Sequence, residues 1–332
     1  MKRLVVVFLA VGALVVAACG NSNKDSNGQP VSSNKSSDDV NLTQGGNLTI
    51  AMVTHSDEGS FWSVVKKGAE QAAKDEGVKL IWSPSNNDPQ KEAQLIDAAV
   101  SQKVDGLAVS VPNADAIKDS LAKAKAAGIP IVTLNSGETD SKALGAITHV
   151  GQDESVAGKA AGERLKSEGA TKVLCIIHEQ NNIGLQQRCD GVKQGFGGDV
   201  TNLQVKGTAD VATTQTEIKS KLQADKSYDA VIALNPDIAN AAATAIKGAS
   251  SSAKLATFDL NPDVIKRIKA GDIEFAVDQQ QYLQGYLPIV FLKLFKTNAN
   301  TVGGGQPVLT GPGFVDKANV ATVEKLANAG TR

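Results

Sequence analysis

The chain has few aromatic residues, few cysteines and no excess of positive charge. Phe, Trp and Tyr make up 4% of its 332 residues, and it has three Cys and three His. Scarce aromatics beside abundant Ala, Gly and Val disfavour an all-β sandwich and favour helices packed tightly on sheets. A net charge of −1, with no basic stripe, gives no indication of nucleic-acid binding.

The one long apolar run is too short for a comfortable membrane span. It covers residues 4–18, fifteen residues without a charge, whereas a spanning helix needs about 20. Met1-Lys2-Arg3 supplies positive charge before it, and Val-Ala-Ala-Cys follows at 16–19. This pattern predicts a secretory signal peptide at residues 1–18.

The Val-Ala-Ala-Cys sequence resembles the bacterial lipobox, in which the cysteine is diacylated after cleavage. The resemblance implies that Cys19 anchors a lipoprotein to the outer face of the cell membrane, and an ordinary secretory peptide with an incidental cysteine is the alternative. Residues 19–46 are dominated by Asn, Ser, Gly, Lys and Asp and cannot bury enough apolar surface to fold. They are predicted to form a disordered tether.

From residue 47 onward, strand and helix patterns alternate, and the alternation begins again after residue 151. The predicted strands are short, apolar and without clean alternation, as in parallel sheets covered on both faces. They span 48–54, 78–82, 106–111, 129–134 and 147–151, then 173–177, 203–206, 230–234, 254–258 and 274–277. The pattern predicts an α/β protein with two doubly wound, parallel-sheet, Rossmann-like lobes.

A hinge of two or three crossing segments is expected between the lobes. The first lobe is predicted to comprise 47–150 and 280–300, and the second 151–279 and 301–330. The crossings are expected near 150–152, 278–281 and 298–306. Cys175 and Cys189 fall in a predicted strand and the helix after it, where either a disulfide or two buried thiols fit the sequence.

Polar residues follow several of the predicted strands. In parallel sheets, ligands bind in the crevice beyond the carboxyl ends of the strands. If two such crevices face each other, they enclose a ligand from both sides. The residues at these ends are His55, Asp57, Glu58, Asn135, Ser136, His178, Glu179, Asn235, Asp259 and Gln279.

Several short motifs, in a fixed order, resemble the periplasmic sugar-binding proteins of the ribose-binding type, which share a fold with the cores of lactose-repressor-like regulators. The resemblance covers residues 48 to about 318. Its motifs are Gly-Ser-Phe-Trp at 59–62, Lys-Gly-Ala at 67–69, Asp-Gly-Leu at 105–107, Gly-Ile-Pro-Ile-Val at 128–132, Arg-Cys-Asp-Gly at 188–191, Thr-Phe-Asp at 257–259 and Asp-Gln at 278–279.

The resemblance implies a periplasmic-binding-protein type I fold and a protein that captures a small sugar or polyol for an ABC importer. A sugar needs aromatic surface for its C–H faces and paired donors and acceptors for its hydroxyls. By this resemblance the ligand-binding residues are Phe61, Trp62, Arg188, Asn235, Asp259 and Gln279. All of these except Gln279 have a structural alternative: core packing for the aromatics, helix capping for Asn235 and Asp259, and pairing with a surface carboxylate for Arg188.

Two departures from the ribose-binding pattern bear on the ligand. Asn135-Ser136 stands where ribose binders carry an Asp-Arg pair, and a phenylalanine of the second lobe is replaced near Val211. Ribose is therefore disfavoured, and a linear polyol, an inositol or another small polyhydroxyl compound fits better. His55, Asp57, Glu58, His178 and Glu179 are expected to supply the missing contacts at the crevice.

Other function classes remain as alternatives. His55, Asp57, His178 and Glu179 are residue types that bind zinc or manganese, but their spacing matches no metalloenzyme motif. A transcription regulator would need a DNA-binding head where this chain has a lipobox. A sensor that docks on a receptor when loaded is the runner-up. The expected protein is not an enzyme, is a monomer, needs no cofactor and has a membrane permease as its partner.

Overall fold

The computed structural model describes residues 42–43 and 47–332. The predicted signal peptide at 1–18, the predicted lipidation site Cys19 and nearly all of the predicted tether at 19–46 lie outside the described residues. Within the described part of the chain, no helix combines the length and apolar character that crossing a membrane requires.

Strands and helices alternate along almost the whole described chain. The strands are β1 Thr49–Thr54, β2 Lys79–Pro84, β3 Gly106–Ser110, β4 Ile131–Asn135, β5 Thr148–Gly151, β6 Lys172–Ile177, β7 Asp199–Gln204, β8 Ala230–Ala233, β9 Lys254–Phe258, β10 Phe275–Asp278, β11 Val308–Leu309 and β12 Gly313–Asp316. The helices are α1 Gly59–Glu76, α2 Pro89–Ser101, α3 Ala114–Ala126, α4 Glu138–Ser141, α5 Glu154–Ser167, α6 Ile183–Phe196, α7 Val211–Ala224, α8 Pro236–Gly248, α9 Pro262–Ala270, α10 Gln281–Asn298 and α11 Val320–Asn328.

The strands form two six-stranded sheets, one in each lobe. The first has the order β11-β5-β4-β3-β1-β2 and is parallel throughout. The second has the order β12-β10-β9-β8-β6-β7 and is parallel except for β12, which pairs antiparallel with β10. Strand order reverses between β1 and β3 in the first lobe and between β6 and β8 in the second. These are the switch points at which such sheets bind ligands.

Each sheet is covered by apolar side chains on both faces, which explains the continuous apolar strands in the sequence. Strand β3 is buried along its whole length, and so is β8. Two apolar clusters flank the first sheet and two flank the second. The predicted two-lobed α/β architecture is confirmed.

Three segments of the described chain connect the lobes. They are 152–153 between β5 and α5, 279–280 between β10 and α10, and 310–312 between β11 and β12. The third crossing was predicted at 298–306, with everything after residue 300 in the second lobe. That boundary is wrong, because Val308–Leu309 pairs with β5 and extends the sheet of the first lobe.

The second lobe contains a disulfide between strand β6 and helix α6. Cys175 and Cys189 are bridged, with their Cα atoms 5.9 Å apart. Helix α6 also packs unusually close to α5: a side chain at Gly158 would collide with the backbone of Arg188, so only glycine allows this approach. The disulfide ties α6 to the sheet, and the close approach at Gly158 holds α6, with Arg188, against α5.

Candidate functional site

A cavity lies between the lobes at the carboxyl ends of the strands. It holds about 350 Å³ of empty space, counting its opening to solvent. Its lining residues come from both lobes: His55, Phe61, Trp62, Asn135 and Ser136 from the first, and His178, Glu179, Asn182, Gly184, Leu185, Arg188, Leu234, Asn235 and Asp259 from the second, with Gln279 from a crossing segment.

One wall of the cavity is aromatic. Phe61 and Trp62 lie in the first turn of α1 and are 5% and 4% exposed. The ring of Trp62 meets that of Phe61 edge to face at 5.3 Å and that of His55 at 4.9 Å. Both rings thus contribute to the apolar core of the first lobe and also line the cavity. Such a wall suits the C–H face of a hydroxylated ring.

Arg188 is paired with a buried carboxylate and lines the cavity at the same time. Its Nε donates to Glu154 Oε2 at 2.5 Å, and Nη2 donates to Oε1 at 2.8 Å. Its Nη1 donates to the carbonyl of Leu234 at 3.1 Å, and the guanidinium lies 4.7 Å from the centre of the Phe258 ring. Since a guanidinium has five N–H donors, two remain for a ligand.

Asn135 and Asp259 occupy equivalent places in the two lobes. Asn135 ends β4 and Asp259 follows β9, and both have left-handed backbone φ values, 60° and 68°. Asn and Asp tolerate this conformation better than other residues with a side chain. Both side chains line the cavity. Asp259 does not cap helix α9, because Asn261 does so, and the capping alternative for Asp259 is wrong.

A chain of amide side chains connects these two residues along the cleft floor. Gln279 Nε2 donates to Asp259 Oδ1 at 2.7 Å, and Gln284 Nε2 donates to Gln279 Oε1 at 2.7 Å. Asn135 Nδ2 then donates to Gln284 Oε1 at 3.2 Å. Gln284 also donates to the hydroxyl of Thr310 at 3.1 Å. The network therefore passes from one lobe to the other through two crossing segments.

Burial tunes the carboxyl group of Asp259. It raises the pKa of Asp259 to about 7, against the opposing effects of the Arg188 guanidinium and the hydrogen bond from Gln279. Near neutral pH this group is therefore present in both protonated and ionised forms. The ionised form accepts a hydrogen bond from a hydroxyl, and the protonated form can donate one to it.

Asn235 both caps a helix and lines the cavity. Its Oδ1 accepts hydrogen bonds from the backbone N–H groups of Asp237 at 2.8 Å and Ile238 at 3.4 Å. The capping role and the ligand-binding role predicted for this residue are thus compatible, because the side-chain NH₂ stays available to the cavity.

Imidazole, carboxylate and amide groups form the rim on one side. His55 Nε2 lies 3.5 Å from Glu179 Oε2, which also accepts from Asn182 Nδ2 at 2.7 Å. Burial by itself would raise the pKa of Glu179, but His55 and the Asn182 hydrogen bond lower it to about 2. Burial lowers the pKa of His178. Among the predicted residues, Asp57 and Glu58 are exposed and line no part of this cavity.

Other contacts join the lobes directly across the cleft. Ser136 Oγ donates to Asn182 Oδ1 at 3.1 Å, and the N–H of Ile183 donates to the carbonyl of Pro112 at 3.1 Å. The N–H of Ser60, in α1, donates to Asp237 Oδ2 of the second lobe at 3.1 Å. The lobes are therefore closed over the cavity.

Glu154, Asn182 and Gln284 were missed in the sequence analysis. Asn182 carried a signal, since it precedes α6 and caps it through Gly184 N–H at 3.0 Å. Glu154 lies 34 residues from Arg188, and nothing in the local pattern pairs them. In the described part of the chain, no three His, Cys, Asp or Glu side chains are grouped so as to hold a metal ion.

Comparison with known proteins identifies the family that shares this architecture. The periplasmic binding protein domain matches residues 50–296. The ribose import binding protein of Haemophilus influenzae is 27% identical over 246 residues, 73% of this chain and 83% of that protein. The ribose import binding protein of Bacillus subtilis is 26% identical over 291 residues, 86% of this chain and 91% of that protein.

A solved structure matches more closely in sequence. It is a carbohydrate transporter from Acidothermus cellulolyticus 11B in complex with myo-inositol, 47% identical, with a TM-score of 0.85, covering 86% of this chain and 100% of that one. The order of motifs, the two-lobed fold and these relatives agree. The chain belongs to the periplasmic binding protein family, as an extracytoplasmic substrate-binding protein of the ribose-binding type.

Proposed function

We propose that this protein captures a small cyclic polyol, with myo-inositol as the leading candidate, and delivers it to an ABC importer. The observation that carries the proposal is the cavity itself, in which an aromatic wall from one lobe faces hydrogen-bonding groups from both. The 47% identical transporter from Acidothermus cellulolyticus was solved with myo-inositol, which supports the same class of ligand.

The character of the polar groups favours a neutral ligand. Where ribose binders carry an Asp-Arg pair, Asn135 and Ser136 present an amide and a hydroxyl. Arg188 is neutralised by Glu154, and Asp259 carries only part of a charge at neutral pH. The Glu179 carboxylate on the rim keeps its negative charge and disfavours an anion. The remaining groups offer donors and acceptors in many directions. A ring with hydroxyls around its whole rim matches them.

Closure of the two lobes over the ligand provides the mechanism of capture. A ligand that contacts the aromatic wall of one lobe and Asp259 of the other binds the closed form better than the open form, and so shifts the population toward closure. A permease that recognises both lobe tips can then distinguish loaded from empty protein. We include in the proposal that diacylated Cys19 holds the protein at the membrane, where that permease lies.

Isothermal titration of the purified full-length protein tests the ligand. We expect myo-inositol to bind, and D-ribose to bind at least tenfold more weakly. Replacing Asp259 with Ala removes hydrogen bonds to an acidic group, worth roughly 1.5–3 kcal/mol each, and is expected to weaken binding about 10- to 150-fold.

The chain offers a matched pair of tryptophans as a control. Trp62 lines the cavity, whereas Trp82 lies in β2 and does not. Trp62→Leu should abolish most of the binding and Trp82→Leu should leave it intact. Equal affinity in these two variants, or no binding of any polyol or monosaccharide by the wild-type protein, contradicts the proposed function.

A further inference from the structure

A second chamber opens beside the ligand cavity. It holds about 900 Å³ of empty space, counting its opening to solvent. Four residues line both chambers and lie between them: His55, His178, Glu179 and Asn182. The far side of the second chamber is formed by the loop after β2, the first turn of α2 and loops of the second lobe.

A buried carboxyl group without a partner lines this chamber. Glu92, in the first turn of α2, is 1% exposed, and its Oε1 has no hydrogen-bond partner in the described part of the chain. Burial raises the pKa of Glu92 to about 8, so the group is mainly protonated at neutral pH and has an O–H to donate. Buried polar groups in folded proteins are nearly always hydrogen-bonded. Glu92 therefore lacks a partner that an occupant of the chamber can provide.

The remaining polar groups of the chamber suit hydroxyls better than ions. Asn86, Asn87, Gln180 and Asn181 are amides, each with donors and acceptors. The charged groups are acidic on balance, since Glu58 and Glu179 outnumber Lys206. A phosphate or carboxylate is disfavoured in these surroundings. A neutral, hydroxylated group finds partners on several sides.

Side-chain contacts join three of the residues that lie between the chambers. Glu179 Oε2 is 3.5 Å from His55 Nε2 and 2.7 Å from Asn182 Nδ2. A ligand that reaches both chambers requires these side chains to rotate so that a single bridging oxygen can pass. With that rotation, a ligand with two units can occupy both chambers.

We propose that the second chamber is a binding subsite for a neutral, hydroxylated arm, so that the cleft accepts a polyol ring carrying one further sugar unit. The inference rests on the proposed function and extends it from one ring to two. It makes Glu92 a determinant of ligand length, because Glu92 faces the arm and lines no part of the first cavity.

Two variants of the full-length protein test the subsite, with myo-inositol and α-galactosyl-myo-inositol as probes in isothermal titration. Ala209 is exposed on the short turn Thr208–Asp210 and lines the second chamber only. Ala209→Trp should fill the chamber, and Glu92→Leu should remove its buried donor. Ala224→Trp is the matched control, because Ala224 is exposed at the end of α7 and lines neither chamber.

The wild-type protein is expected to bind the galactoside at least as tightly as myo-inositol. Ala209→Trp and Glu92→Leu should each weaken galactoside binding at least tenfold and change myo-inositol binding less than twofold, and the control should change neither. Binding of myo-inositol without the galactoside, or equal galactoside affinity in all variants, overturns the second subsite alone. Absence of binding by both probes overturns the subsite and the myo-inositol assignment together.

Discussion

Asp237 caps helix α1 from the opposite lobe, and its removal is expected to weaken ligand binding without altering any ligand contact. Glu58, at the N-cap position of α1, makes no side-chain capping bond. The carboxylate of Asp237 accepts from Ser60 N–H instead, at 3.1 Å. Asp237 does not line the ligand cavity. Since Ser60 and Asp237 belong to different lobes, the bond stabilises the closed form relative to an open one.

The size of the effect follows from the cost of losing a cap. Replacing a capping side chain with Ala costs about 0.5–2 kcal/mol. Asp237 is half-buried. We therefore expect Asp237→Ala to destabilise the closed form by about 1–2 kcal/mol relative to the open form. Because apparent affinity scales with the population of the binding-competent state, this predicts a loss of roughly 5- to 30-fold in affinity.

A repeated motif provides the control. Asn-Pro-Asp occurs at 235–237 and at 261–263, and in each case Asn is the N-cap and Pro the first residue of a helix, α8 and α9 respectively. Asp263→Ala therefore removes the same charge from the same helical position, but the contact it loses is with Lys266 in its own helix. Isothermal titration with myo-inositol should show weakened binding only for Asp237→Ala. Equal affinity in the two variants refutes the capping argument.

Three further predictions concern buried charge, pH and the membrane. Glu154→Gln should lower the unfolding free energy by about 3–5 kcal/mol in a denaturant titration, since it leaves the Arg188 guanidinium buried without its counter-charge; an unchanged midpoint contradicts the role of the pair. Glu92 keeps its proton up to about pH 8 when folded but loses it near 4.5 when unfolded, so its contribution to stability should fall as pH rises between these values, by about 1.4 kcal/mol per unit. Glu92→Gln should remove this contribution and lessen the slope, and an identical slope rules out Glu92 as a source of it. Cys19→Ala should move the protein from the membrane to the soluble fraction of lysed cells, and retention on the membrane places the anchor elsewhere.

The sequence predicts the fold well because parallel strands leave a clear pattern. Strands such as β3 and β8 are buried on both faces and appear as continuous apolar runs. Strand β7 is different: it lies at a sheet edge, half of its residues are only partly buried, and it spans 199–204 rather than the predicted 203–206. The two-residue strand β11 has no pattern of its own. Its place depends on pairing with β5, more than 150 residues earlier.

The site was predictable where it depends on strand ends and not where it depends on pairing across the fold. Asn135, Asn235 and Asp259 follow strands, and the carboxyl ends of parallel strands meet at one edge. Asp57 follows a strand as well, yet it is exposed, because the chain between β1 and α1 turns it outward. The bond between Ser60 and Asp237 joins residues 177 positions apart, and only the closed arrangement of the lobes brings them together.

The bridge between Cys175 and Cys189 determines where this protein can finish folding. It closes a loop that carries the start of α6 and ends one residue after Arg188, so the arginine of the binding cleft is tied covalently to the central part of its sheet. Disulfides form and persist in oxidising compartments. The second lobe therefore acquires its complete covalent structure only after the chain has left the reducing cytoplasm. A copy retained there has to hold Arg188 by packing and by its hydrogen bonds to Glu154 and Leu234, without the covalent link.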